Sequence, residues 1–212
     1  QRLALVDLDG VQHVAALDEH VAVHRGRFAR DVLEHEDVHA ASVVGVWDHP
    51  RMDVLVVAAT VGEVAWVDDA ETLVVGIGPV EAAVHTAARL AVDPPDAVLH
   101  VGIAGATRTS GLALGALAIG TEARYADLAA ALGSLVDVVL PDAALVERLA
   151  ALLPEAVQVP IATSARVGGT DGPVEAMEGF AVLRAARQAG VPAVELRAIS
   201  NLVEEADRAR WD

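Results

Sequence analysis

Three stretches of this chain combine residue types and spacings that could do chemistry. In the first, Met177-Glu178-Gly179-Phe180 opens a helical run to 189, the turn Gly190-Val191-Pro192 follows, and an apolar run over 193–199 carries Arg197 before Ser200 and Asn201. Helix, tight turn and buried strand make an α/β unit, and open α/β sheets bind ligands at the carboxyl ends of their strands. An acid at the helix start and a cation, hydroxyl and amide at the strand end therefore meet at one mouth. The second stretch supplies Glu63, just past the apolar run 54–59; on the residues alone, an ordinary loop acid is the simpler account of it. In the third, Gly102-Ile103-Ala104-Gly105 follows another apolar run, and its glycines let backbone approach a ligand closely.

The elements that must position these groups alternate. Residues 54–59 form a continuous apolar run, as a buried parallel strand requires. Strands are expected again at 72–77, 97–101, 116–122, 157–164 and 193–199. Helices are expected from Pro79 to about 91, where proline suits an early helical position, and over 142–153, ended by Pro154. Gly76-x-Gly78 lacks the third glycine of a dinucleotide fingerprint. The expected fold is a three-layer α/β/α domain around a central twisted, mixed sheet, without an internal linker or repeat over 52–212.

Composition narrows the function classes. At 212 residues and 54% hydrophobic, the chain can bury one sizeable core, packed by Ala, Val and Leu because aromatics are only 3%. There is no cysteine, which removes disulfides, thiolate metal sites and a thiol nucleophile. All 15 basic residues are arginine, so a phosphate-loop lysine and a Schiff base are excluded. A net charge of −16 repels polyanions, which makes nucleic acid and anionic membranes poor partners and a small, nearly neutral ligand a good one. No apolar run reaches the roughly 18–20 residues of a membrane span, and no basic segment precedes an apolar one at the start; the expected location is cytoplasmic.

Residues 1–51 have a different character, holding six of the eight histidines (His13, His20, His24, His35, His39, His49) among Val, Asp and Arg. His20/His24 and His35/His39 are spaced i,i+4 but lack the His-Glu-x-x-His pattern, so solvent-facing imidazoles are a simpler account than zinc, and no metal site is expected. Asp7-Leu8-Asp9-Gly10-Val11, after an apolar run, resembles the nucleophile motif of haloacid dehalogenase phosphatases, which would imply a magnesium-dependent phosphatase using Asp7 and Asp9.

The pattern Met177-Glu178 followed by Arg197-x-x-Ser200-Asn201 resembles the nucleoside phosphorylase and nucleosidase superfamily. Met177-Glu178-Gly179-Phe180, Asn201 where adenine-specific nucleosidases carry aspartate, and the tail Asp207-Arg208-Ala209-Arg210-Trp211 resemble its futalosine hydrolase family. The resemblance covers 52–212 as a nucleosidase domain. It leaves 1–51 as a non-family segment, an extension or translation from upstream of the true start, and it implies that a final C-terminal helix is lacking.

The same resemblance implies hydrolysis of the N-ribosyl bond of futalosine, releasing hypoxanthine and dehypoxanthine futalosine in menaquinone biosynthesis, by a homo-oligomer with no cofactor. Glu63 is then the base that activates water, with Arg197 and Ser200 positioning it; Glu178 holds the ribose hydroxyls, and Met177 packs on the sugar. Gly102, Ile103, Ala104, Gly105 and Phe180 line the substrate, and the loop 165–173 is a lip for the base. Asn201 faces the purine; an amide cannot protonate N7 but can donate to it. Because an amide also suits 6-oxopurine phosphorylases, another purine nucleosidase or such a phosphorylase remains an alternative, as does a catalytically inactive nucleoside-binding relative. Superfamily phosphorylases place arginines around phosphate, and 60–63 and 102–105 contain none, which favours water as the acceptor.

Overall fold

A computed structural model of the chain describes residues 52–68, 70–128, 135–170 and 172–205. The segment 1–51, with Asp7, Asp9 and the six histidines singled out above, lies outside the described residues, as does the tail 206–212. Among the described residues eight strands form one mixed sheet: β1 (Val54–Ala58), β2 (Glu71–Val74), β3 (Ala97–Ala106), β4 (Leu117–Tyr125), β5 (Val138–Val139), β6 (Val157–Thr163), β7 (Val174–Ala176) and β8 (Ala193–Leu202). The described α-helices are α1 (Val61–Val64), α2 (Pro79–Val92), α3 (Ala143–Leu152) and α4 (Gly179–Ala189).

Strand β1 runs parallel to β2 on one side and to β3 on the other, and all five of its residues are buried, as its unbroken apolar run requires. β3 continues parallel to β8, which pairs antiparallel with β4; β4 then pairs with β6, β6 with β7, and β7 with the far end of β3. These five strands close into a ring, with β1 and β2 extending the sheet from β3. A register shift between Ala104 and Gly105 passes over Ser200 in the β3–β8 ladder.

Two apolar cores flank the sheet. On one face Leu145, Leu149 and Leu153, from α3 and its end, pack on Val54, Val56, Leu99, Ile119 and Leu196. On the opposite face α2 and α4 bury Ala82, Leu90, Val182, Leu183 and Ala186 against Leu55, Val57 and Val98. Alternate residues of β1 and β3 thus serve opposite helical layers, which is the three-layer arrangement expected. Local signals set the helix ends. Asp142 accepts from the Leu145 amide at 3.1 Å as an N-cap, and Pro79 opens α2. Gly190, at φ 74°, ends α4 with its N–H on the Ala186 and Arg187 carbonyls.

The structure differs from expectation where chemistry was sought. Residues 102–106, expected to follow a strand ending at 101, continue β3, because β8 and β7 pair with this stretch on either side. Ser200 and Asn201 likewise lie within β8 and not beyond it. Glu63 sits in a short helix where a loop was expected, and β7 is a three-residue strand with no periodic signature of its own. Among the described residues no helix is long and apolar enough to cross a membrane.

Candidate active site

At the carboxyl ends of β1, β3 and β8 lies a cavity that opens to solvent. Thr60 and Glu63 come from the β1 exit, Ile103, Ala104 and Gly105 from β3, and Ser200 and Asn201 from β8. Glu175 through Glu178 come from β7 and the entry to α4, Val167 from the loop before β7, and Ile77 from the turn before α2. Most of the side chains singled out in the sequence therefore converge on one space.

Glu63 is fixed by its own helix end. The Thr60 amide and hydroxyl donate to Oε2 at 2.9 and 3.0 Å, as in a capping box, and the Ile103 amide donates to Oε1 at 3.2 Å. The carboxylate is 7% exposed and borders the cavity, so its direction is set before any ligand arrives. Glu178 is the N-cap residue of α4, and its Oε1 accepts from the Gly78 amide at 2.9 Å. Burial lifts its carboxyl above the usual value, an effect opposed by Arg197 and the Gly78 N–H and reinforced by Glu63 and Glu195.

Arg197 does not line the cavity. It is 1% exposed and lies beneath the floor, with Nε donating to Glu195 Oε1 at 2.8 Å and Nη2 standing 3.9 Å from Glu178 Oε2. Its Nη2 also contacts His100 Nε2. His100 is fully buried, and its Nδ1 faces the Val57 carbonyl at 3.0 Å, which requires the proton on Nδ1 and leaves Nε2 to accept from Arg197. Burial and then the Arg197 charge hold the imidazole well below its ordinary pKa, so it is neutral. Burial also works against the guanidinium charge, but Glu195, Glu178 and Glu63 outweigh it and raise the Arg197 pKa.

Gly102 also departs from expectation. A Cβ there would lie 2.3 Å from Arg197 Nη1 and 2.7 Å from Glu63 Oε1, so this glycine makes room for two protein side chains and is not in the cavity wall. Gly105 does border the cavity, and a Cβ on it would come within 3.1 Å of Asn201 Nδ2. The Asn201 amide is oriented by Ser200 Oγ donating to Oδ1 at 2.9 Å and by its own Nδ2 donating to the Leu202 carbonyl at 3.2 Å. One N–H and one lone pair stay available to a ligand. Phe180 lies elsewhere: it stacks on Tyr125 with centroids 5.3 Å apart, in the core under α2 and α4, and does not reach the cavity.

Several groups escaped the sequence reading. Glu175 borders the cavity and clamps the 165–170 loop, accepting from the Gly168 amide at 2.6 Å and the Thr170 amide at 2.9 Å. Burial raises its pKa, while those backbone N–H groups pull it down. Glu195 and His100 form the buried support of Arg197. Their signal was present: single charged or polar residues in otherwise apolar strands, with Glu195 and Arg197 two apart and so on one face.

Among the described residues three carboxylates (Glu63, Glu175 and Glu178) border the cavity and no arginine does. Such a site favours a ligand that gains positive charge as it reacts, and a carboxylate held with lone pairs free can take a proton.

Known proteins bear on this geometry. Residues 53–212 match the family model described as the phosphorylase superfamily. The chain is 37% identical over 171 residues to futalosine hydrolase from Streptomyces coelicolor, covering 68% of this chain and 72% of that protein. Among solved structures it is similar to 5'-methylthioadenosine/S-adenosylhomocysteine nucleosidase from Neisseria meningitidis, in complex with methylthio-immucillin-A (TM-score 0.63, 25% identity, 71% of this chain and 86% of that one). It is similar also to S-adenosylhomocysteine nucleosidase from Streptococcus pyogenes (TM-score 0.66, 20% identity, 74% and 86%). A family match over this much of the chain, together with a relative at this identity, establishes that the chain belongs to the phosphorylase superfamily.

Proposed function

We propose that this protein is an N-glycosidic hydrolase that cleaves the N-ribosyl bond of futalosine, releasing hypoxanthine and dehypoxanthine futalosine, and that it serves menaquinone biosynthesis in the cytoplasm. The observation that carries this reading is the meeting of Glu63, Glu178 and the Asn201 amide in one cavity that, among the described residues, no arginine borders. A phosphate dianion there would face carboxylates, the nearest described guanidinium, Arg197, lying beneath the floor and not in the wall, whereas water would find a base. The similarity to a futalosine hydrolase supports the choice of substrate.

In this reading Glu63 takes a proton from water, which attacks the anomeric carbon as the C–N bond to the purine breaks. Glu178 accepts hydrogen bonds from the ribose hydroxyls, and Met177 packs on the sugar. The buried carboxylates stabilise the cationic, oxocarbenium-like sugar, while Asn201 donates to N7 of the departing 6-oxopurine. Ser200 fixes that amide, and the backbone of Ile103–Gly105 forms the wall beside the nucleoside. In this reading the protein works as a homo-oligomer.

Incubation with futalosine, methylthioadenosine and inosine, each with and without phosphate, tests the reading through the free base released. Hypoxanthine from futalosine at a rate indifferent to phosphate is expected. Release that requires phosphate would make the protein a phosphorylase.

A further inference from the structure

The reaction outlined above leaves one buried acid without a task. Glu195 is fully buried, and the β3–β8 register sets it opposite His100 and sets Arg197 opposite Gly102, on one face of the sheet. Its Oε1 accepts from Arg197 Nε at 2.8 Å. Its Oε2 has no hydrogen-bond partner among the described residues. Both oxygens occupy the place a side chain would take on Gly179, 2.2 and 2.3 Å from an ideal Cβ there. The carboxylate is thus seated against the first residue of α4, where the helix dipole favours an anion.

The guanidinium is planar, so holding it along the Nε and Nη2 edges leaves one place for Nη1. Glu195 supplies the first hold and His100 the second. Nη1 has no partner among the described residues and is directed into the gap at Gly102, which Glu63 Oε1 borders from the other side. We propose that Glu195 is a positioning residue for the hydrolysis: seated in the space left by Gly179, it holds Arg197 so that Nη1 faces Glu63 through the gap at Gly102. Without that hold the guanidinium is free to turn toward Glu178 Oε2, now 3.9 Å from Nη2, drawing charge from the base and engaging the carboxylate that grips ribose. This rests on the nucleosidase reading of the cavity, and the experiment separates the two.

The test is a double-mutant cycle of Glu195→Gln, Arg197→Lys and both together, read as kcat and KM on futalosine, alongside the Arg197 Nε–H resonance of the ligand-free protein. Glu195→Gln is expected to lower kcat by about tenfold or more, yet to change it less than about twofold once Arg197 is lysine, because contacting residues that act through one another are not additive. Equal effects of Glu195→Gln in both backgrounds would overturn the proposal. The resonance reports on positioning without any substrate. It is expected to be slowly exchanging with the shift of a carboxylate-bonded guanidinium in the wild type, and to move in Glu195→Gln while the rest of the spectrum stays in place. A wild-type resonance exchanging like those of exposed arginines, or one unmoved by the substitution, would also overturn it. If the wild type leaves futalosine intact while the resonance behaves as expected, the positioning stands and the substrate assignment fails.

Discussion

Gly102 stands opposite Arg197 in the register of β3 and β8, and its missing side chain is the opening through which Arg197 faces Glu63. A cation beneath the floor and a carboxylate in the wall are coupled across that opening. The coupling depends on a position where no side chain is tolerated. Gly102→Ala is therefore expected to lower both stability and turnover: its Cβ would meet Nη1 and Oε1 well inside van der Waals contact, and such overpacking costs roughly 1–3 kcal/mol. Thermal unfolding and kcat measured together check this; a variant that matches wild type in both would show that the two groups do not need the gap.

Glu63 and Glu178 are expected to fail in different ways. Glu63→Gln keeps the shape and an acceptor for the Ile103 amide but cannot take a proton, so turnover should be lost while a product or analogue still binds. Glu178→Gln replaces a charged acceptor by a neutral one and should weaken analogue binding as well, by an amount on the order of the 1.5–3 kcal/mol of hydrogen bonds to charged groups. Near-full turnover by Glu63→Gln would remove it as the base.

Stability against pH carries a separate signature of Glu178. Its folded pKa is raised by burial, so its contribution to stability is fully present below the ordinary value of 4.5 and is lost as pH rises through the raised one. His100 acts in the opposite sense: its folded pKa is depressed, so acidification below its ordinary 6.5 costs stability. The informative quantity is thus the difference between Glu178→Gln and wild type. Ligand-free Glu178→Gln is expected to melt higher than wild type at neutral pH, with the gain shrinking toward pH 4.5. A gain independent of pH would refute the assignment of burial as the cause.

Glu175 holds the loop that borders the cavity through Val167. Glu175→Ala leaves the Gly168 and Thr170 amides without their acceptor, so KM should rise more than kcat falls, with a smaller effect on melting temperature because the loop is largely exposed. Since burial raises this carboxyl, the clamp should loosen on acidification at a less acidic pH than an ordinary carboxylate would. Unchanged KM in Glu175→Ala would show that the loop needs no anchor to meet its ligand.

Much of this was readable from local pattern, and the exceptions share a cause. The all-apolar run of β1, the Asp142 cap and the Gly190 stop each depend on neighbours in sequence, which is why those elements were anticipated. The continuation of β3 through Ala106 depends on β7 and β8, distant in sequence, so the strand was expected to end at 101. Gly102 was expected to let backbone approach a ligand, and only the register with Arg197 reveals that its missing side chain makes room for a guanidinium instead. Phe180 follows Gly179 into a helix whose rotation turns the ring toward Tyr125, away from the cavity that Glu178 borders. Glu175 and Glu195 acquire their roles from a loop and from an arginine that tertiary folding brings to them.

In the proposed reaction Asn201 meets a 6-oxopurine without supplying a proton, whereas adenine, a poorer leaving group, depends on protonation at N7. The most direct measurement is the ratio of kcat/KM for futalosine to that for methylthioadenosine in phosphate-free buffer, for wild type and Asn201→Asp. The wild type is expected to release hypoxanthine from futalosine and leave methylthioadenosine almost untouched. The aspartate is expected to lower futalosine turnover, because a carboxylate would face a purine gaining negative charge; the cost should be on the order of the 2.7–4 kcal/mol seen for losing an oxyanion donor. Wild-type preference for methylthioadenosine, or a ratio unmoved by the substitution, would contradict this reading.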